Sequence, residues 1–339
     1  MSIVATTNPK VTVLIPTFNG AEYLAAAIDG VLSQTVSDFE LIVLDNASTD
    51  NTPDIMARYT DPRLRTFRNE NNLGFLGNVS KGRQLARGEF LVDIGSDDIW
   101  EPSMLARALD FFIAHPSVSF LHTAATWINE TDEPIGQITV PWRTLTPGRD
   151  AFVEVFKYGF CFSGMFMRKH LLDAFGPINP SFDEMLDLWW FLRLSLRGDV
   201  GYIHDPLVRF RLHGRSLSAA LYKRGKGFRQ HIAVASSAFD WPEAIAAGLN
   251  SADRKTALRY LALDSVNQMH AVRDTGTRRE LLSAFGGLAC AVPSIALHPR
   301  TWVRLGFGML PRSFIHRLRA RKRRRQIRRL AGVPSGASA

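Results

Sequence analysis

Four short apolar runs, each closed by a polar loop and each followed by residues at helical spacing, open this 339-residue chain and restrict its architecture. Val11 to Pro16 is a β-branched run closed by proline, and Thr17, Phe18, Asn19 and Gly20 form the loop after it. From Glu22 to Gln34, the apolar positions Leu24, Ala27, Ile28, Val31 and Leu32 keep the helical period. Phe39 to Leu44 is the next strand; it ends on the polar loop Asp45 to Asp50, before a helical stretch around Ile55 to Tyr59. A third strand over Leu64 to Phe67, a helix over Leu73 to Ala86 and a strand over Gly88 to Ile94 complete the series. That rhythm predicts an α/β fold, a Rossmann-like, mostly parallel sheet flanked by helices.

The fourth strand stops on Gly95, Ser96, Asp97 and Asp98. In open α/β sheets ligands bind outside the carboxyl ends of strands. Two adjacent carboxylates repel unless a cation lies between them, so Asp97 and Asp98 invite a hard divalent ion. The plainer alternative is that Asp98 caps the helix that Pro102 opens. At the end of the second strand, Asp45 and Asn46 have the groups to bond a base edge or ribose, whereas Ser48 and Asp50 equally suit an ordinary capped turn. Neither a Walker loop nor a dinucleotide fingerprint occurs.

Beyond Pro102 the sequence predicts a helix over Leu105 to His115, a strand over Val118 to His122, a polar excursion from Asn129 to Pro147, an apolar run from Phe160 to Met167, and a short helix over Lys169 to Phe175. Asp187 opens a further helical stretch. A helix N-terminus keeps a carboxylate ionised, as a general base requires, although first-turn acids are also common as simple dipole partners. Glu184 is the reserve candidate. His213 lies in the strand-like run Val208 to Ser218, which breaks at Gly214. Arg209, Arg211 and Arg215 around it have the planar donors that suit phosphate oxygens.

Several ordered segments together resemble one family. PTFNGAEYLAAAIDGVLSQT, FELIVLDNASTDNT, NENNLGFLGN, ARGEFLVDIGSDDIWEP, FDEMLDLWWFLRL and FRLHGRSLS are similar, in order and spacing, to the inverting glycosyltransferase family 2 with the GT-A fold, over roughly residues 10 to 220. The resemblance implies a nucleotide-binding half over about 10–102 and an acceptor half over about 103–220. It places Pro16, Thr17, Asn19 and Glu22 in the first nucleotide-binding loop, and Asp45 and Asn46 at the base. Asp97 and Asp98 fall in the D-x-D region that touches ribose and holds Mg²⁺ or Mn²⁺ against the diphosphate, with His213 approaching the metal and Asp187 matching the catalytic base. Gly95 stands where the first Asp of D-x-D is usual, and Leu186 where a Glu precedes the base. The implied partners are a nucleotide-sugar donor and a saccharide or lipid-linked acceptor.

Residues 221–339 read as a helical extension with a basic tail. Twelve of the 41 Lys and Arg residues, and none of the 32 Asp and Glu residues, follow Glu280, so the preceding chain carries 29 basic against 32 acidic groups. Leu281 to Leu297 is uncharged but short of the roughly 20 residues a membrane span needs. Thr301 to Leu318 interleaves Trp302, Phe307 and Phe314 with arginine, the composition of a helix at an anionic lipid surface. A nucleic-acid partner is not expected from that interleaving, although phosphate contacts alone would suit the arginines. Two distant cysteines exclude a disulfide framework. The N-terminal residues lack a basic stretch followed by an apolar core, so a cytoplasmic protein, peripheral at the inner face of the cell membrane, is expected. A sugar-nucleotide binder that has lost catalysis is the alternative that Gly95 raises.

Overall fold

Strand β1 (Val11–Thr17) runs between two parallel neighbours, and its apolar residues are buried on both faces, as the unbroken apolar run requires. On one side lies β2 (Phe39–Asp45), in register from Val11 opposite Phe39 to Thr17 opposite Asp45. On the other lies β4 (Phe90–Asp93), from Val11 opposite Phe90 to Leu14 opposite Asp93. Strand β3 (Leu64–Arg68) pairs parallel with β2 at the edge. The order β3-β2-β1-β4 makes the chain leave β1 in one direction and return on its other side, which opens a crevice between the C-terminal ends of β1 and β4. The computed structural model describes residues 8–138, 140–176, 185–216 and 226–262.

Past β4 the sheet is mixed rather than mostly parallel. It continues through β9 (Phe166–Arg168), β6 (Val118–Ile128), β10 (Asp199–Arg211) and β5 (Ile99–Trp100), with β7 (Pro134–Ile138) on β6 and β8 (Leu145–Thr146) on β10. Only the β6–β10 pair is parallel in this half. Two-residue strands such as β5 and β8 are too short to show an alternation, and β7 arises as a hairpin inside the expected polar excursion. The run expected over Val208 to Ser218 is the end of a longer strand. It bulges around Pro206, which lacks the N–H a ladder needs, and it stops at Arg211, so His213 stands beyond the sheet.

Helices cover both faces. Helices α1 (Leu24–Leu32), α2 (Thr52–Met56) and α4 (Met104–Ala114) pack on one apolar cluster with Val13, Ile15 and Val92. On the opposite face α3 (Gly74–Leu85), α5 (Gly148–Tyr158) and α7 (Leu186–Ser195) share a second cluster with Leu14, Phe120 and Met167, while α6 (Lys169–Asp173) lies beside β9. The α5 helix was not among the expected elements, although Ala151, Phe152, Val155 and Phe156 keep the helical spacing. Helix α7 is buried almost all round: Leu186, Leu188, Trp189, Trp190, Phe191, Leu192 and Leu194 are all covered. Helices α8 (Lys226–Ala238) and α9 (Pro242–Ala246), with the helical residues 251–262, contribute Val234, Ala235, Ala244, Ala257 and Leu261 to the same cluster. Among the described residues no helix is long and apolar enough to cross a membrane. Glu184, the run Leu281 to Leu297 and the basic tail lie outside the described residues.

Candidate active site

A cleft of about 710 Å³ opens at the C-terminal ends of β1 and β4. Its first wall is the loop after β1, where Pro16, Thr17, Asn19 and Glu22 all face the opening. Asn19 is in the left-handed region at φ 52°, which Asn tolerates better than most side chains. Hydrogen bonds hold it there: its N–H donates to Ser48 Oγ at 2.8 Å, and its Oδ1 accepts from Thr49 N–H at 2.8 Å. The next two amides donate to Thr52 Oγ1 at 3.0 Å and Asp50 Oδ2 at 3.1 Å. Burial works against the Asp50 carboxylate, but hydrogen bonds from Thr52 and the Ala21 amide outweigh it and hold its pKa below the usual value. A Cβ on Gly20 would lie 2.4 Å from Thr17 Oγ1, so the turn admits only glycine without a shift. Ser48, Asp50 and Thr52 thus brace the loop from the end of β2.

Asp45 and Asn46 part company at this strand end. Asp45 is fully buried and does not line the cleft. Its Oδ1 accepts from Ser48 N–H at 3.0 Å, and its Oδ2 pairs with Arg68 at 2.9 Å, the residue directly opposite it on β3. Asn46 does reach the cleft wall, but its amide is saturated by protein. Its Oδ1 accepts from Asn69 Nδ2 at 3.0 Å and Leu73 N–H at 2.9 Å, while its Nδ2 donates to Asn72 Oδ1 at 2.9 Å and the Gly74 carbonyl at 3.1 Å. It therefore holds the 72–74 turn in place as the second wall. Phe18, Asn72, Phe75 and Phe162 also line the cleft, and sequence reasoning assigned them no role. The only signal for Asn72 and Phe75 is their place in the NENNLGFLGN segment.

The two strand-end carboxylates also differ. Asp97 lines the cleft, and its Oδ2 meets His213 Nε2 at 2.8 Å. Asp98 is 2% exposed and absent from the cleft wall. Its Oδ2 accepts a short hydrogen bond from Ser163 Oγ, and its Oδ1 accepts from Arg211 N–H at 2.9 Å. Burial, with the neighbouring Asp97 charge, pushes the Asp98 carboxyl well above the ordinary carboxylate range. A Cβ on Gly95 would lie 2.6 Å from Asp97 Oδ1 and 3.0 Å from Asp98 Oδ2. The missing side chain is what lets both carboxylates fold back over this turn. Among the described residues no three His, Cys, Asp or Glu side chains form a ready metal cluster.

Of the three arginines near His213, only Arg215 lines the cleft, where it forms a short ion pair with Glu22 across the opening. Arg209 donates to the Asp132 carbonyl at 2.7 Å, and Arg211 is buried. Asp187 lies in the first turn of α7, half-buried and apart from the residues that line the cleft. Burial pushes its carboxyl up to about 6, although the Leu188 N–H donates to its Oδ1 at 2.7 Å and favours the charged form.

Comparison with known proteins agrees with this geometry. In crystal structures, residues 1–349 of Staphylococcus aureus TarS superpose with a TM-score of 0.59 at 16% identity, covering 88% of this chain and 92% of that one. A second TarS crystal structure, in complex with UDP-GlcNAc, gives a TM-score of 0.57. The layered sheet and its crevice define the GT-A fold. The glycosyl transferase family 2 pattern matches residues 12–175. A PGL/p-HBAD biosynthesis glycosyltransferase of Mycobacterium tuberculosis is 30% identical over 189 residues, 54% of this chain and 68% of the relative. TuaG of Bacillus subtilis, named for teichuronic acid biosynthesis, is 28% identical over 222 residues, 64% of this chain and 85% of the relative. The chain belongs to glycosyltransferase family 2.

Proposed function

We propose that this glycosyltransferase moves a sugar from a nucleoside diphosphate donor to a hydroxyl of a saccharide or lipid-linked acceptor, with inversion at the anomeric carbon, in assembly of a cell-surface polysaccharide or lipopolysaccharide. The observation that carries the reading is the meeting of Asp97 and His213, 116 residues apart, on the wall of a cleft at the β1/β4 crevice. The UDP-GlcNAc complex of TarS and the names of the bacterial relatives support the donor class and the cell-surface role. In this reading Pro16, Thr17, Asn19 and Glu22 form the donor loop. Asn46 fixes the adjoining wall, and Asp45 acts from behind it through Ser48.

A divalent ion fits the donor set. Asp97 has one oxygen without a protein partner among the described residues, and it stands against an imidazole whose Nδ1 is buried without a hydrogen bond. The Asp97 carboxylate, with substrate diphosphate oxygens, would suit Mg²⁺ or Mn²⁺, and an imidazole beside it would favour Mn²⁺ of the two. When bound, the ion supplies Lewis-acid stabilisation of the departing diphosphate. Asp98, held by Ser163 and Arg211, braces Asp97 from behind. Asp187 accepts the proton of the acceptor hydroxyl as that oxygen bonds to the anomeric carbon. As the new bond forms, the bond from that carbon to the diphosphate oxygen breaks on the opposite face, and the nucleoside diphosphate leaves with that electron pair. Arg215 offers positive charge at the rim.

Thermal-shift measurements with UDP-, dTDP- and GDP-sugars, with and without Mn²⁺, test this reading. Binding stabilises by mass action, by about 2.7 kcal/mol at a hundredfold excess over the dissociation constant. One donor class is expected to raise the Tm in the presence of Mn²⁺. No shift with any of them would refute the donor site. The basic tail is proposed to hold the enzyme at an anionic membrane surface, since each Lys or Arg near such a surface contributes about 1 kcal/mol. The full chain should sediment with anionic vesicles and be partly released by salt. Equal recovery in the supernatant with and without vesicles would refute that anchor.

A further inference from the structure

Arg211 is the last residue of β10, two positions before His213, and its side chain is 1% exposed. A guanidinium buried to that degree is costly unless its donors are met. Here Nε and Nη1 are met by three groups from two parts of the chain. Nε donates to the Asp97 carbonyl at 2.8 Å, and Nη1 donates to the Asn129 carbonyl at 2.9 Å and pairs with Asp132 Oδ1 at 2.5 Å. The guanidinium carbon stands 4.4 Å from the centroid of the Tyr23 ring, and that ring packs in turn against His213 with centroids 5.1 Å apart. Its own backbone N–H donates to Asp98. Arg211 is not among the residues that line the cleft, and its Nε and Nη1 are committed to backbone carbonyls and Asp132.

The outer end of this connection is the turn of the β6–β7 hairpin. Asp132 sits there at φ 66°, a left-handed conformation that Asp tolerates better than most side chains. Asn129 Oδ1 accepts from Thr131 N–H and Glu133 N–H at 2.9 Å each, which closes the turn. Arg209 binds the Asp132 carbonyl, and Arg211 binds its carboxylate. The Asp132 side chain is 51% exposed and lies outside the cleft wall.

We infer that Arg211 is a positioning residue: one buried guanidinium sets the Asp97 backbone, the Tyr23 ring and, through them, the Asp97–His213 pair, and it couples the hairpin turn at Asp132 to the donor site. The donor-site half rests on the nucleotide-sugar reading above. A lysine cannot replace this link, because a single ammonium cannot span the Asp97 carbonyl and the Asn129–Asp132 turn with the same planar fork.

Asp132→Asn tests the coupling from outside the cleft, so it does not depend on Arg211 variants that fail to fold. Two readouts decide it: UDP, dTDP and GDP binding by calorimetry with Mn²⁺, and hydrogen exchange of the peptides carrying Asp97 and His213. The variant is expected to bind the preferred nucleotide three- to tenfold more weakly, with faster exchange at both peptides and unchanged exchange in β1 and β2. Arg211→Lys should reproduce both effects more strongly, and adding Asp132→Asn to it should weaken binding no further, because the link is already broken. Unchanged exchange at Asp97 and His213, or nucleotide binding equal to that of the parent protein, would overturn the coupling. If the parent protein binds none of the three nucleotides, the donor reading fails instead, and the exchange result alone decides the role of Arg211.

Discussion

Asp187→Asn is expected to cut turnover by about 10²- to 10⁴-fold while leaving nucleotide-sugar affinity within a factor of two, the span for losing a general base. The substitution keeps the side-chain shape, and the Leu188 N–H retains an acceptor in the amide oxygen, so helix α7 should start as before. What is lost is the ability to take a proton. Burial has already raised this carboxyl to about 6, which is closer to working pH than an ordinary aspartate and favours proton transfer. The sign of the pH dependence follows. The base works when deprotonated, so kcat should rise with pH through about 6 and then level off, and the variant should lose that limb. Rapid-quench measurement of a single turnover at saturating donor checks this apart from product release. A variant with the parental rate and pH profile would remove Asp187 from the chemistry.

How far such a site can be read from sequence depends on whether the decisive contact is local. The strands β1, β2 and β4 were legible because burial on both faces leaves an unbroken apolar run, and the loops at their ends follow at once. The loop after β1 was legible for the same reason, whereas its assignment to the donor rests on the family resemblance. The pairing of Asp45 with Arg68 lies one strand away and becomes visible only when β2 and β3 are set in register. Saturation of the Asn46 amide needs the 69–74 turn to fold back on it, which no residue spacing announces. Likewise, Asp97 and Asp98 look equivalent in sequence. They diverge across the tight turn that the Asp98 N–H closes on the Gly95 carbonyl, one side chain facing the cleft and the other Ser163 and the Arg211 amide. The β6–β7 hairpin was missed because Pro134, Ile135 and Gln137 are exposed and show no buried alternation, whereas helix α5 carries a helical spacing at Ala151, Phe152, Val155 and Phe156 that was overlooked.

That divergence gives the second large effect. Asp97→Asn should abolish metal-dependent donor binding, because the ion would lose the strand-end carboxylate that faces the cleft beside His213 and with it several kcal/mol of charge stabilisation. Its melting temperature without metal should stay near that of the parent. Asp98→Ala should do the reverse in kind, unfolding at lower temperature because the Arg211 N–H and the Ser163 hydroxyl lose their acceptor, at about 1–3 kcal/mol for each buried group left unmet. Asp98→Asn separates charge from shape. In the fold, the pKa of Asp98 is raised by burial and by Asp97, so the folded protein holds a proton that the unfolded chain has already released. The stability Asp98 contributes is therefore present at low pH and is lost as pH rises past the ordinary carboxylate range toward the raised value. An amide cannot titrate, so in chelator-treated protein Asp98→Asn should flatten the fall of Tm with rising pH and keep an acceptor for the Arg211 amide. Calorimetric melts of the three variants across neutral pH, beside Mn²⁺-dependent nucleotide titrations, measure both quantities. If Asp98→Asn abolished metal-dependent binding while Asp97→Asn preserved it, the ligand and brace would have to exchange roles, and the side-chain arrangement around Gly95 would have to change when the donor binds.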